Sequence, residues 1–121
     1  MSGAPRLFHI TTAAAWTAAQ RAGAYVAPSL ATAGFIHLSG AHQWLATANR
    51  FYRGQPDLLL LVIDPARLTA PVRWEDGAPP APDGAQFPHL YGPLALAAVA
   101  AALPLPVDAD GAIGVPAGLA P

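Results

Sequence analysis

The residues best equipped for chemistry in this sequence are four histidines: His9, His37, His42 and His89. Two of them share a pattern, a histidine with a hydroxyl residue two places on, His9 with Thr11 and His37 with Ser39. In an extended strand, residues i and i+2 lie on one face. Each imidazole would then have a hydroxyl beside it, and the two pairs together would form a polar wall on an otherwise apolar sheet. Small-molecule sites are lined in this way, by a few convergent polar groups in an apolar cleft. His89 adds a third imidazole, and His89 and His37 are the candidates for acid–base catalysis. The competing reading is the commoner fate of a strand histidine, a hydrogen-bonded structural residue.

Three convergent histidines could also form a zinc-type triad. However, no His-x-His or His-x3-His spacing places two ligands on one element, so no metal is assigned. Acids are few. Glu75 is the sole glutamate and follows Arg73 and Trp74. Strand alternation puts Arg73 and Glu75 on one face, either as an exposed ion pair worth under about 1 kcal/mol or with Arg73 gripping an anionic ligand. Gln43 falls within reach of the His37 strand, and Tyr91 lies in Leu-Tyr-Gly-Pro, where its ring packs inward or covers a cleft. His9, Thr11, Ser39, Gln43, Arg73 and Tyr91 are therefore the candidate ligand contacts. The chain has no Gly-x-Ser-x-Gly elbow, so Ser-His-Asp chemistry lacks support, and no Gly-x-Gly-x-x-Gly turn or Walker pattern, which excludes the classical nucleotide folds.

These residues must be positioned by short elements. Residues 6–10 read as a strand, and Thr11 or Thr12 can then cap a helix to Ala22, with Gly23 as its stop. Tyr25-Val26 is a brief extended piece ended by Pro28. Residues 34–39 form a strand with Phe35, His37 and Ser39 on one face, Ile36 and Leu38 on the other. A second helix spans about Ala41 to Arg53, with Trp44, Leu45, Ala48, Phe51 and Tyr52 at helical spacing. Residues 57–63, nearly all apolar, predict a central strand buried on both faces. Residues 72–75 are a short strand, residues 76–86 a mobile Pro/Gly-rich loop, and residues 87–93 a compact turn-rich stretch. Residues 95–105 suit either an alanine-rich helix or a final strand, and the tail from Pro106 reads as loosely packed. The fold class expected is α+β, with two main helices on a small, mostly antiparallel or split sheet.

Composition narrows the chemistry further. The 121 residues have the size of one domain, ordered over about 5–105. All six cations are arginine, so no lysine can form a Schiff base. A net charge of −1 argues against tight binding of duplex nucleic acid. Cysteine is absent, which removes disulfides, thiol nucleophiles and Cys-ligated metals. The 54% hydrophobic content is inflated by 29 alanines. Its longest apolar run, Leu94–Leu103, is half of what a bilayer span requires. With no charged n-region leading into a long apolar stretch, the expected location is the cytoplasm.

Phe-His-Ile-Thr with Trp16, Gly-Phe-Ile-His-Leu-Ser, Gln43, Asp-Leu-Leu-Leu-Leu-Val-Ile-Asp, Val-Arg-Trp-Glu and Phe-Pro-His-Leu-Tyr-Gly-Pro-Leu follow one another between Leu7 and Val99. In this order they resemble the bacterial domain of unknown function family 952, which is grouped with the ADP-ribosyltransferase-like fold. That resemblance implies a cleft for an NAD-type ligand, with His9 and Thr11 at a ribose and His37 and Ser39 framing the nicotinamide. It further implies a late acid opposite the ribose. Here the chain departs from the pattern, because no glutamate follows Glu75 and His89 stands where the acid would be sought. The resemblance thus points to a nucleotide-type ligand, bound either for transfer or glycohydrolase chemistry or by a non-catalytic module that has lost the acid. A histidine-dependent metallohydrolase is the third alternative.

Overall fold

A computed structural model of the chain describes residues 5–119. Strand β1, Leu7–Thr12, runs directly into helix α1, Ala13–Ala22. The junction is a side-chain cap, in which Thr12 Oγ1 accepts from the Ala15 N–H at 3.0 Å. Gly23 ends the helix in the left-handed region at φ +92°, its N–H donating to the Ala19 carbonyl at 2.9 Å. A two-residue strand follows, β2 at Ala24–Tyr25. Pro28, expected only to end the extended piece, instead opens a third helix, α2 at Pro28–Ala33. Proline loses nothing at the first helical position, where its missing N–H would be unpaired anyway. Six residues are also too few to show an apolar period.

Strand β3, Ile36–His37, is followed by a turn and helix α3, Trp44–Phe51. This helix is shorter at both ends than its apolar spacing suggested. At its start, Gln43 Oε1 takes the Gly40 N–H at 2.9 Å and holds residues 41–43 in a turn. Strand β4, Leu58–Ile63, is central and buried as expected, between β1 and strand β8, Val99–Pro104, and antiparallel to both. Residues 95–105 therefore hold no α-helix: β8 at Val99–Pro104 is preceded by β7 (Leu94–Ala95, paired with β2) and one 3-10 turn, Leu96–Ala98.

Strands β5, Val72–Asp76, and β6, Gln86–Leu90, complete a second three-stranded sheet in the order β3-β6-β5. The stretch from Phe87 was expected to be a turn because Pro88, Gly92 and Pro93 crowd it. Only its second half turns. Pro88 sits inside β6, where its carbonyl still accepts from the Leu38 N–H at 3.0 Å. The two sheets meet at one pair of residues. Phe8 N–H donates to the Ser39 carbonyl at 2.8 Å, and Ser39 N–H donates back to Phe8 at 2.7 Å.

Two apolar clusters flank β4. Leu61 and Ile63 pack with Leu7, Ile36, Leu38 and Leu90 on the α1 side. Leu58, Leu60 and Val62 pack with Phe8, Ile10, Trp44 and Ala48 on the α3 side. The tail joins the second cluster through buried Leu105 and Ile113. Asn49 clamps Ile113, with Oδ1 accepting its N–H at 2.8 Å and Nδ2 donating to its carbonyl at 2.9 Å. This part of the tail is therefore pinned to α3 rather than loose, through an amide that no local pattern announces. Among the described residues no helix is long and apolar enough to cross a membrane. Leu60 is fully enclosed. Leu60→Ala is expected to cost about 2–5 kcal/mol, read as a lower urea midpoint at unchanged slope; a loss below 1 kcal/mol would contradict the packing described.

Candidate functional site

A cleft of about 900 Å³ opens between the sheet junction, α2, α3 and the β5–β6 connection. β1 contributes His9 and Thr11, β3 contributes His37 and continues into Ser39, and β6 contributes His89. The opposite wall comes from α3, through Gln43, Thr47 and Arg50, and from residues 77–85 of the connection. The Pro/Gly-rich stretch is thus part of the cleft. Arg50 Nη2 donates to the Pro80 carbonyl at 3.4 Å, across the gap between helix and connection.

His9 lies in a buried polar group with Tyr25 and Thr11. Its Nδ1 is 2.6 Å from the His37 carbonyl, and since a carbonyl can only accept, Nδ1 carries the hydrogen. Its Nε2 is 2.8 Å from the Tyr25 hydroxyl, which is also 3.0 Å from Thr11 Oγ1. Burial pushes the His9 pKa down to about 4, outweighing the backbone hydrogen bond that raises it, and neighbouring His37 lowers it further. The ring is therefore neutral at pH 7, and Nε2 accepts the Tyr25 hydrogen. Thr11 is then the donor within the hydroxyl pair. The same burial raises the Tyr25 pKa, against the opposing effect of Thr11. His9 and Thr11 do share a face, as the sequence implied, but the hydroxyl beside the imidazole belongs to Tyr25.

His37 and His89 are paired residues on β3 and β6, their rings 5.7 Å apart and edge to face at 81°. His37 is exposed to the cleft, and its pKa is lowered by desolvation and then by His89. His89 is only 2% exposed. Phe35 stacks on it, centroids 3.9 Å apart and planes at 13°. Its Nδ1 is 2.8 Å from Glu75 Oε1, which also accepts from the Tyr91 hydroxyl. Its Nε2 is buried and, among the described residues, has no hydrogen-bond partner.

Not every expected contact reaches the cleft. Arg73 and Tyr91 do not line the cleft; Arg73 is the cross-strand neighbour of His89, and its guanidinium lies 5.1 Å over the Tyr91 ring. Glu75 bonds to His89 and Tyr91 rather than standing as a simple partner of Arg73. Gln43 lines the cleft, yet both ends of its amide are taken, Oε1 by Gly40 and Nε2 by the Gln86 carbonyl at 2.7 Å. Among the described residues no three His, Asp or Glu side chains come close enough to hold a metal ion. His9 cannot join such a group, because both its nitrogens are engaged. Tyr25, Glu75 and Arg50 are the residues that sequence reasoning missed. Alternation did place Glu75 on the face of Arg73, but it could not show that this face meets His89.

Two outcomes follow from the buried relay. Between pH 6.5 and 4 the unfolded chain binds a proton at His9 that the folded chain refuses. Stability that is complete at neutral pH is then lost as pH falls toward 4, by up to about 3 kcal/mol from this group. His9→Asn, which keeps a donor for the His37 carbonyl but cannot titrate, is expected to flatten much of that slope in urea unfolding measured across this window. An unchanged slope would exclude His9 as its source. Tyr25→Phe leaves His9 Nε2 without its donor and is expected to cost about 1–3 kcal/mol at pH 7, checked by the same unfolding measurement.

The chain resembles known proteins over nearly its whole length. The family described as protein of unknown function (DUF952) matches residues 10–102. The crystal structure of protein CC0527 from Caulobacter crescentus is 38% identical, with a TM-score of 0.78, over 90% of this chain and 93% of that one. The solution NMR structure of CC0527 gives 36% identity and a TM-score of 0.73, over 89% and 90% of the two chains. No curated protein matches. A family match across most of the chain, with a relative sharing over a third of its residues, establishes that this protein belongs to the DUF952 family of proteins of unknown function.

Proposed function

We propose that the cleft binds a nucleotide or a related ribosyl or phosphoryl ligand, and that the protein works in the cytoplasm as a single domain. The observation that carries this reading is the polar edge of the cleft. His37, Ser39 and His89 come from two adjacent strands onto one wall, and His89 holds a buried nitrogen with nothing bonded to it. A cleft of about 900 Å³ is within the range of small-molecule sites. Arg50 supplies a cation on the opposite wall for an anionic group. The ADP-ribosyltransferase-like grouping of the family supports the same ligand class by analogy. Under this reading His37 orients the ligand and His89 is the acid–base group. The chemistry would be cleavage or transfer at an N-ribosyl bond.

One observation favours a second reading, binding without turnover. His9, placed by the resemblance at a ribose, has both nitrogens committed inside the fold. Glu75 touches His89 and does not line the cleft, so no glutamate faces a ligand directly. A module that keeps the pocket and lacks the facing glutamate fits this arrangement; Asp83, which does line the cleft, lies in the β5–β6 connection and accepts the Ala85 N–H at 2.9 Å.

The deciding experiment is a proton–nitrogen NMR titration of labelled protein with NAD, ADP-ribose and a 2′-phosphorylated oligonucleotide. Amide shifts are expected at residues 8–11, 35–39 and 77–85 and at His89 and Arg50. No shift at millimolar concentrations of all three would sink the nucleotide reading. If binding is seen, release of nicotinamide from NAD separates an enzyme from a binding module.

A further inference from the structure

Glu75 lies outside the cleft, yet two side chains converge on one of its oxygens. His89 Nδ1 is 2.8 Å from Oε1, and the Tyr91 hydroxyl donates to the same atom. The Tyr91 bond first, then the His89 bond, hold the Glu75 carboxyl below the usual glutamate range, against a smaller desolvation effect. Glu75 is therefore a carboxylate at neutral pH and can only accept. The hydrogen between the two residues must then sit on His89 Nδ1. In the neutral ring this leaves Nε2 bare.

The ring is also fixed in place. Phe35 lies flat against one of its faces, and His37 meets it edge to face. The stack fixes the plane of the imidazole, and a half-turn within that plane would keep the stack but break the Glu75 bond. Nε2 remains buried and unpaired, on a residue that contributes to the cleft wall. A buried acceptor without a donor is costly, and a carbon at that position would avoid the cost. The arrangement is therefore suited to a donor that arrives from the cleft.

We propose that Glu75 is a positioning residue, which locks His89 as the Nδ1–H tautomer and so reserves Nε2 as an acceptor for a hydroxyl or N–H of the ligand. The inference rests on reading the cleft as a ligand site, and it narrows the ligand to one that presents a donor at that point. A ribosyl hydroxyl satisfies this. A carbonyl or phosphate oxygen would set acceptor against acceptor. Tyr91 supports the lock by occupying the same carboxylate oxygen, and Arg73 stacked on its ring keeps that phenol in place.

The test uses the full chain with nitrogen-15-labelled histidine and long-range proton–nitrogen spectra, which distinguish protonated from bare ring nitrogens. In the wild type His89 is expected to show a protonated Nδ1 and a bare Nε2; the reverse pattern overturns the proposal whether or not anything binds. Glu75→Leu removes the acceptor from Nδ1 and is expected to move the population toward Nε2–H. It should also weaken ADP-ribose binding about tenfold, with an unchanged far-UV spectrum. Glu75→Gln, whose amide oxygen can still accept from Nδ1–H and from Tyr91, is expected to retain the wild-type tautomer. An unaltered tautomer in Glu75→Leu removes Glu75 from the positioning role. On adding ADP-ribose, the His89 Nε2 resonance should move more than any other imidazole nitrogen. Amide shifts in the cleft with an unmoved Nε2 refute the acceptor role while leaving the cleft reading intact. No amide shifts at all end the nucleotide reading and the acceptor role with it, and the tautomer measurement still decides what Glu75 does.

Discussion

The two backbone hydrogen bonds between Phe8 and Ser39 join the β1-β4-β8 sheet to the β3-β6-β5 sheet. Each sheet has only three strands, and β3 has only two residues in regular pairing with β6. What holds β3 in register is the burial of Ile36 and Leu38, at 0% and 2% exposure, against Leu61, Ile63 and Leu90. Because side chains alternate along a strand, burying these two forces His37 and Ser39 to the other face. The His9 Nδ1 bond to the His37 carbonyl lies beside this junction and reinforces it. The cleft opens beside this single backbone bridge, bounded by α2, α3 and the β5–β6 connection. Its polar wall follows from the register of the strand at the join.

The same side-chain type is used in two opposite ways on either side of that join. His9 is a satisfied core histidine, neutral because burial lowers its pKa, with Tyr25 and the His37 carbonyl on its two nitrogens. His89 is equally buried but satisfied on one side only. The structural fate expected of a strand histidine therefore describes His9 well and His89 badly. The difference comes from what each meets in space, a phenol for one and a carboxylate backed by a second phenol for the other.

Much of the fold was legible in the chain because its signals are local. Thr12 and Gly23 delimit α1 by side-chain capping and a left-handed stop, both set by the residue itself. The apolar run at Leu58–Ile63 is too continuous for a half-exposed strand, and it lies at the centre of its sheet. The signals that misled were also local. Pro28 reads as a terminator in isolation but serves as a helix start. Pro88 reads as a turn residue but is carried inside β6, because its carbonyl alone makes the bond to Leu38. Tertiary pairing overrode propensity at these positions.

By itself the sequence determined the α+β class, the order of most elements, the absence of lysine and cysteine chemistry, and the resemblance to the domain of unknown function family 952, which the family match bears out. It also singled out His9, Thr11, His37, Ser39 and His89, all of which line one cleft. Only the tertiary structure decided which of them are already satisfied. Their partners lie far along the chain: Tyr25 is 16 residues from His9, the His37 carbonyl 28, and Glu75 14 from His89. Strand periodicity gives the face a residue occupies within its own strand, but not the neighbouring strand or its register. A hydrogen bond extends only about 3 Å, so the free or engaged state of each imidazole is settled only when the sheets close on one another.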